Sequence, residues 1–381
     1  MEKIIAYRRG KFAELLTSRG LHHALILNPG REKFNTWLIG REAAAEGPPE
    51  WGMTPTLPPF NRNSMYIAPV EGDVIRVSAL IPHPTDAAQY PLLEPAQYPE
   101  VFDREKIGIV NPECLKKVVL DKILAYHPGI EFVDITREMN ELKAVKCQEE
   151  LEKAKAAAKI MDRAFGTLYL ILRDGMSEHQ ASVELRWRLS QLGASEQDLQ
   201  NMSVVRLTSA PDGGTAAEEP MLYPGRSLQV GDRINISCTS YLPIGICGAL
   251  GRCYIMGKAS QEAKDYWSLA LKAQDAAAAA AKPGATLAQI EELVNREILI
   301  SAGVEEDHSA FIYGIGCDRY EAPRNVDATR EMPLEAGMLL VIAPSVKPQG
   351  KDAYRCMDVF SVTEAGAVRL SGTPRDLVEL F

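Results

Sequence analysis

The stretch FIYGIGCDRYEAP, residues 311–323, has the outline of a metal-site loop. A glycine-bracketed turn runs into a Glu-Ala-Pro exit. Where two imidazoles would suit a metal ion, the chain carries Tyr313 and Tyr320. A buried phenol can donate a hydrogen bond or a proton to a substrate; its ring can also simply fill space. Thiols gather in the same part of the chain. Of seven cysteines, Cys238, Cys247, Cys253, Cys317 and Cys356 lie between 238 and 356. The odd count and the lack of a CxxC pair predict reduced thiols in a cytoplasmic chain. A third stretch, EGPPEWGMTPTLPPFNRN (46–63), is rich in proline and aromatics and too long for a plain connector, which predicts a functional loop.

The elements that must position these residues follow from pattern. A chain of 381 residues predicts two domains. With 46% apolar and 24% charged residues it reads as globular. A net charge of −9 argues against a nucleic-acid partner. No run of 18 apolar residues predicts a membrane span, and the charged, amphipathic MEKIIAYRRGKFAELL has no signal-peptide core. The expected location is the cytoplasm.

Residues 3–20 predict an amphipathic helix and ALILNP (24–29) a buried strand. SMYIAPVEGDVIRVSAL (64–80) predicts a hairpin turning at Glu71-Gly72-Asp73. KIGIV (106–110) and IEFVDI (130–135) add strands around a helix at 112–126. This α/β domain is expected over 1–140, with the second domain over 141–381. The pattern from 137 to 172 predicts one long helix. A repeat follows. RDGMSEHQASVELRWRLSQLG (173–193) has a glycine, a serine N-cap, a helix and a closing glycine. KPGATLAQIEELVNREILISAG (282–303) repeats that plan with Thr286 as N-cap. A strand-rich segment follows each, at 200–257 and 310–364. Two duplicated α-β halves are therefore expected, with a site drawing on both strand segments.

Four ordered motifs carry a resemblance to a known superfamily: GDRINISCTSYLPIGICGALGRCYIMG (231–257), FIYGIGCDRYEAPR (311–324), LEAGMLLVIAPSV (334–346) and AYRCMDVFSVTEAG (353–366). They resemble the "pita-bread" enzymes creatinase, prolidase, aminopeptidase P and methionine aminopeptidase. The resemblance covers nearly the whole chain. It implies a mixed α/β (α+β) fold with a small N-terminal creatinase-like domain and a duplicated C-terminal pita-bread domain. The family's metalloenzymes bind two divalent ions through two Asp, one His and two Glu. Here the first Asp falls on Ser237, or on Cys238 if an insertion is placed differently. The second falls on Ala249, the His on Tyr313, and the first Glu on Ala343. The last Glu falls on Met357, or on Cys356 in a shifted alignment. Alanine and methionine are not ligands for a hard divalent cation, so neither a metal site nor a cofactor is expected.

GALGRC and YRCMD are also similar to patterns of creatinase, a metal-free member. Creatinase's histidine, however, falls near Pro220-Met221, and its closing glutamate falls on Cys356. The resemblance implies a metal-independent creatinase-like enzyme cleaving a C–N or related bond in a small polar nitrogenous compound. The alternatives are an inactive ligand- or protein-binding module and an Xaa-Pro metallopeptidase. Tyr313, Glu321, Cys238, Cys356 and His308 are the candidate catalytic residues. Tyr320, Arg252, Arg324, Trp51, Phe60 and Arg62 are the candidate substrate contacts. A bland role stands beside each: ring packing for the tyrosines, apolar packing for the thiols, ion pairing for Glu321 and Arg252, and a surface loop for His308. A small-molecule substrate is expected, with neither nucleic acid nor membrane as partner. The resemblance implies a homodimer.

Overall fold

The N-terminal pattern forms helix α1 (Glu2–Ser18), which buries Ile4, Arg8, Phe12 and Leu16, the four-residue spacing of one helix face. The computed structural model describes residues 2–27, 37–38, 64–78, 93–194, 205–211, 226–307, 311–349, 351 and 353–381. The loop 46–63, with Trp51, Phe60 and Arg62, lies outside the described residues, as does His308. The chain divides into two units, Met1–Lys143 and Ala144–Phe381. Its class is mixed α/β, as the sequence predicts.

The first unit is built on a five-stranded sheet in the order β3-β2-β1-β4-β5. Its strands are β1 (His23–Leu27), β2 (Ser64–Pro69), β3 (Ile75–Ser78), β4 (Lys106–Val110) and β5 (Glu131–Asp134). The hairpin β2–β3 is antiparallel, whereas β4 runs parallel to both β1 and β5. Gly72, at φ +102°, supplies the left-handed residue of the hairpin turn. Short helix α2 (Pro99–Phe102), α3 (Lys117–Tyr126) and α4 (Thr136–Ala144) complete the order. The helix expected over 112–126 begins only at Lys117; Pro112–Cys114 is a separate 3-10 turn.

In the second unit the long helix expected over 137–172 is interrupted. α4 stops at Ala144, and α5 (Gln148–Phe165) starts afresh. The backbone between them pairs elsewhere: Val145 bridges to Met338, and the Lys146 N–H donates to the Gly337 carbonyl. α5 lays Ala154, Ala157, Ala158, Met161, Ala164 and Phe165 into the core. α6 (Glu178–Gln191) is opened by Ser177, whose side chain accepts from the Gln180 N–H while Gln180 reaches back. Thr286 and Gln289 repeat that box at α8 (Leu287–Val294), which follows α7 (Gln261–Ala280).

Each half then gives a sheet. The first holds β6 (Val205–Pro211), β7 (Asp232–Tyr241) and β8 (Cys247–Met256), with β16 (Val378–Leu380) parallel to β8. The second has the order β10-β9-β11-β14-β15. Its strands are β9 (Ile312–Gly314), β10 (Glu321–Arg324), β11 (Leu339–Ile342), β14 (Asp358–Thr363) and β15 (Gly366–Arg369). A small pair, β12 (Ser345–Val346) and β13 (Tyr354–Arg355), lies between. The halves are joined where Gly251 and Met357 exchange two backbone hydrogen bonds of 2.9 and 3.1 Å. Among the described residues no helix is long and apolar enough to cross a membrane.

The segment before β16 is clasped to α5. Asp162 accepts from the Ser371 and Thr373 hydroxyls, both at 2.5 Å, and from the Gly372 and Thr373 N–H groups at 2.7 and 3.0 Å. Partial burial pushes this carboxyl up, but the four donors outweigh it and hold it below the usual carboxylate range. The clasp therefore stabilises the fold above about pH 4 and fades as pH falls through the depressed folded-state pKa. Asp162→Ala is expected to cost about 1–3 kcal/mol at pH 7 and to remove that part of the acid sensitivity. Urea unfolding of both proteins from pH 3 to 7 reads both effects.

Candidate active site

Successive residues of a strand point to opposite faces, and two glycines identify the faces here. A Cβ on Gly248 would sit 2.7 Å from Met161 Cγ of α5; one on Gly251 would sit 2.9 Å from Met357 Cβ. Residues 248 and 250 of β8 thus face the helices, and residues 249 and 251 face the second half. Register carries this across to β7. Cys238 pairs with Leu250 and faces the helices, whereas Ser237 pairs with Gly251 and Thr239 with Ala249. Of the two residues that the resemblance offers for the first Asp, Ser237 therefore faces the second half, and the Cys238 side chain is turned away from it.

The outward face of β7 meets the second half residue by residue. Arg233 stacks over the Tyr354 ring at 4.5 Å, and Asn235 donates to the Ala353 carbonyl at 2.8 Å. Ser237 lies beside Met357 across Gly251. Thr239 hydrogen-bonds the Tyr313 hydroxyl. The Tyr313 ring packs against Tyr320 with centroids 4.6 Å apart, and the two hydroxyls are also hydrogen-bonded. Burial, then Tyr320, drives the Tyr313 phenol far above its ordinary pKa, against smaller opposing effects of Thr239 and Arg355. It stays protonated at neutral pH, a hydrogen-bond donor rather than a source of protons. Tyr320 is half exposed, so this chain of hydroxyls leads from the interior to solvent.

The remaining candidates are held in other ways. Glu321 and Lys146 form an ion pair of 2.6 Å with side chains 1% and 2% exposed. Lys146 also donates to the Ala144 carbonyl. The other Glu321 oxygen accepts from the Asp318 N–H at 2.9 Å and the Cys317 thiol at 3.2 Å. Cys317, Asp318 and Glu321 bring three possible ligand atoms within 4.8 Å, but the Lys146 ammonium already stands in the place of a cation. Arg252 pairs with Asp358 at 2.9 Å and donates to the Thr373 and Pro374 carbonyls, the structural arrangement. Arg324 pairs with Asp327 at 2.6 Å. Cys356 is fully buried with its sulfur 3.5 Å from an Asp358 oxygen; burial first, then that carboxylate, pushes the thiol up to about 12. Such a thiol is almost wholly protonated at neutral pH and a poor nucleophile.

Sequence reasoning passed over Thr239, Lys146 and Arg355. Strand parity with Ala249 was the available signal for Thr239. Lys146 gave none, because its partner is 175 residues away.

The five positions that the resemblance assigns to metal ligands can now be judged on their chemistry. Ala249, Tyr313, Ala343 and Met357 are buried in one hydrophobic cluster, with Ser237 alongside. Together they offer a hydroxyl, a phenol held protonated and a thioether, and no carboxylate or imidazole. This set does not fit a pair of hard divalent ions.

Comparison with known proteins agrees with the frame. The family model described as Metallopeptidase family M24 matches residues 152–364. The Xaa-Pro dipeptidase of Pyrococcus furiosus is 26% identical over 250 residues, covering 65% of this chain and 69% of the relative. The fold is shared with the dipeptidase PepE from Mycobacterium ulcerans, at TM-score 0.74 and 22% identity, over 99% of this chain and 98% of the other. It is shared too with the prolidase from Pyrococcus horikoshii OT3, at TM-score 0.72 and 18% identity, over 98% and 100%. These findings correct the expectation of a metal-independent creatinase-like enzyme. The proteins that this chain matches are a metallopeptidase family, dipeptidases and a prolidase, and the short creatinase-like patterns do not outweigh them.

Two outcomes follow from the site. Lys146→Met is expected to destabilise the protein by about 3–5 kcal/mol by stranding a buried carboxylate, whereas Lys146→Met with Glu321→Leu recovers most of that loss; urea unfolding reads both. Chelator-treated protein is expected to show an unchanged Tm on adding Mn²⁺, Co²⁺ or Zn²⁺, and elemental analysis to find no stoichiometric metal.

Proposed function

The chain belongs to metallopeptidase family M24, which makes it an enzyme of the hydrolase class, and on that footing we propose that it acts on short peptides of the dipeptide type. The observation that supports this reading is the family match itself. It runs from α5 to the end of β14 and so includes Ser237, Thr239, Tyr313, Tyr320 and Met357. A short peptide offers an amide carbonyl and a terminal carboxylate as acceptors and apolar side chains as packing surface. Hydroxyls and buried apolar groups at this place are suited to those features.

No step is assigned to a metal ion, because the five positions do not supply its ligands. The roles open to this chain's own residues are to bind, to orient and to exclude water. The protonated Tyr313 phenol and its neighbours donate hydrogen bonds, while Ala249, Ala343 and Met357 form a dry wall. The Lys146–Glu321 pair holds the turn that carries Tyr320. The reading also includes the homodimer and the cytoplasmic location drawn from the resemblance and the composition.

Incubation of the full chain with Xaa-Pro and other dipeptides, followed by mass spectrometry, is expected to show release of free amino acids from at least one of them. Dipeptides that shift the Tm but stay intact, with or without Mn²⁺, overturn the hydrolase part of the reading. A ligand at 100 times its Kd adds about 2.7 kcal/mol of stability, so a panel that leaves the Tm unmoved overturns the substrate class as well.

A further inference from the structure

Three hydroxyls meet where the family's ions would be held. Thr239 lies on the outward face of β7, opposite Ala249. Tyr313 stands on β9, and Tyr320 ends the turn leading into β10. Tyr313 is buried and hydrogen-bonds both neighbours. It has one proton to give. If Thr239 donates to the Tyr313 oxygen, the Tyr313 proton is left for the Tyr320 oxygen, and the Tyr320 proton points onward. Tyr320 is 50% exposed, the one member of the three with a large open surface. Hydrogen bonds in a row polarise one another, so the last donor is stronger than an isolated phenol. The two rings are in tilted contact, with centroids 4.6 Å apart and planes at 38°, which restrains the Tyr320 side chain.

We propose that the Tyr320 hydroxyl, oriented by Tyr313 and Thr239, is the donor that receives an acceptor oxygen of a short peptide. Tyr320 is the contact; Tyr313 and Thr239 are positioning residues. The inference rests on the short-peptide reading above and adds which groups recognise the peptide and in which order they act. It also accounts for the polar groups in an otherwise apolar cluster: Thr239 and Tyr313 satisfy each other, and only the end of the row needs a ligand.

The test is calorimetric titration of the full chain with L-alanyl-L-proline, completed faster than cleavage. Tyr320→Phe is expected to weaken binding about tenfold, the size of one good hydrogen bond. Tyr313→Phe and Thr239→Val are each expected to weaken it several-fold in the wild-type background and to have no further effect in the Tyr320→Phe background. Thr239→Ser is expected to bind like wild type. A merely structural role for Thr239 or Tyr313 would leave their effects intact in the absence of the Tyr320 hydroxyl. Wild-type binding that Tyr320→Phe leaves within twofold overturns the proposal and spares the short-peptide reading. A wild-type chain that does not bind the dipeptide overturns both.

Discussion

The second unit depends on an ion pair with almost no contact with water. The side chains of Lys146 and Glu321 are each at most 2% exposed. The lysine sits in the three-residue break between α4 and α5, and the glutamate opens β10. Taking two charges out of water is costly, and their attraction repays it only with good geometry and further hydrogen bonds. Here those bonds come from the Asp318 N–H, the Cys317 thiol and the Ala144 carbonyl. Gly316 is part of the same device: a Cβ there would lie 2.4 Å from a Glu321 oxygen. The pair sets where the helix breaks, the path of the 314–321 turn and the placement of Tyr320.

At the site between the two sheets, the positions that the resemblance assigns to metal ligands are held by a different kind of cohesion. Carboxylates gathered around metal ions repel one another without the ions. Alanine, methionine and tyrosine at those positions carry no charge and pack as core. The halves are held at this point by the Gly251–Met357 backbone bridge and by the ladder of contacts along β7. Among the described residues, the polar groups that meet at this site are the hydroxyls of Thr239, Tyr313 and Tyr320, with the Arg355 charge near enough to act on Tyr313.

Much of the architecture was legible because it is local. The two capping boxes, with their glycines before and after, mark the duplicated halves, and the turn at Gly72 marks the first hairpin. What was not legible is long-range or depends on parity. The pattern from 137 to 172 is a good helix until Lys146 finds a partner far along the chain. Whether Ser237 or Cys238 faces the site turns on a one-residue shift, and in a strand that shift reverses every side chain. Thr239 looked like any β-branched strand residue until its register with Ala249 was known. The chemical class failed for a related reason: GALGRC and YRCMD are short patterns, whereas the metallopeptidase family match runs over residues 152–364.

β16 has a consequence for how the molecule comes to be made. Residues 378–380 lie parallel to β8 at 254–256, and the residues just before them close on Asp162. The first sheet therefore lacks an edge strand until the second half has been synthesised. A nascent chain ending anywhere before β16 exposes the β8 edge, an open row of donors and acceptors prone to pairing with other chains. Contacts spanning more than a hundred residues also slow folding, since their loop closure must come first. The unit matures as one piece, and its first half relies on its last strand for protection from aggregation.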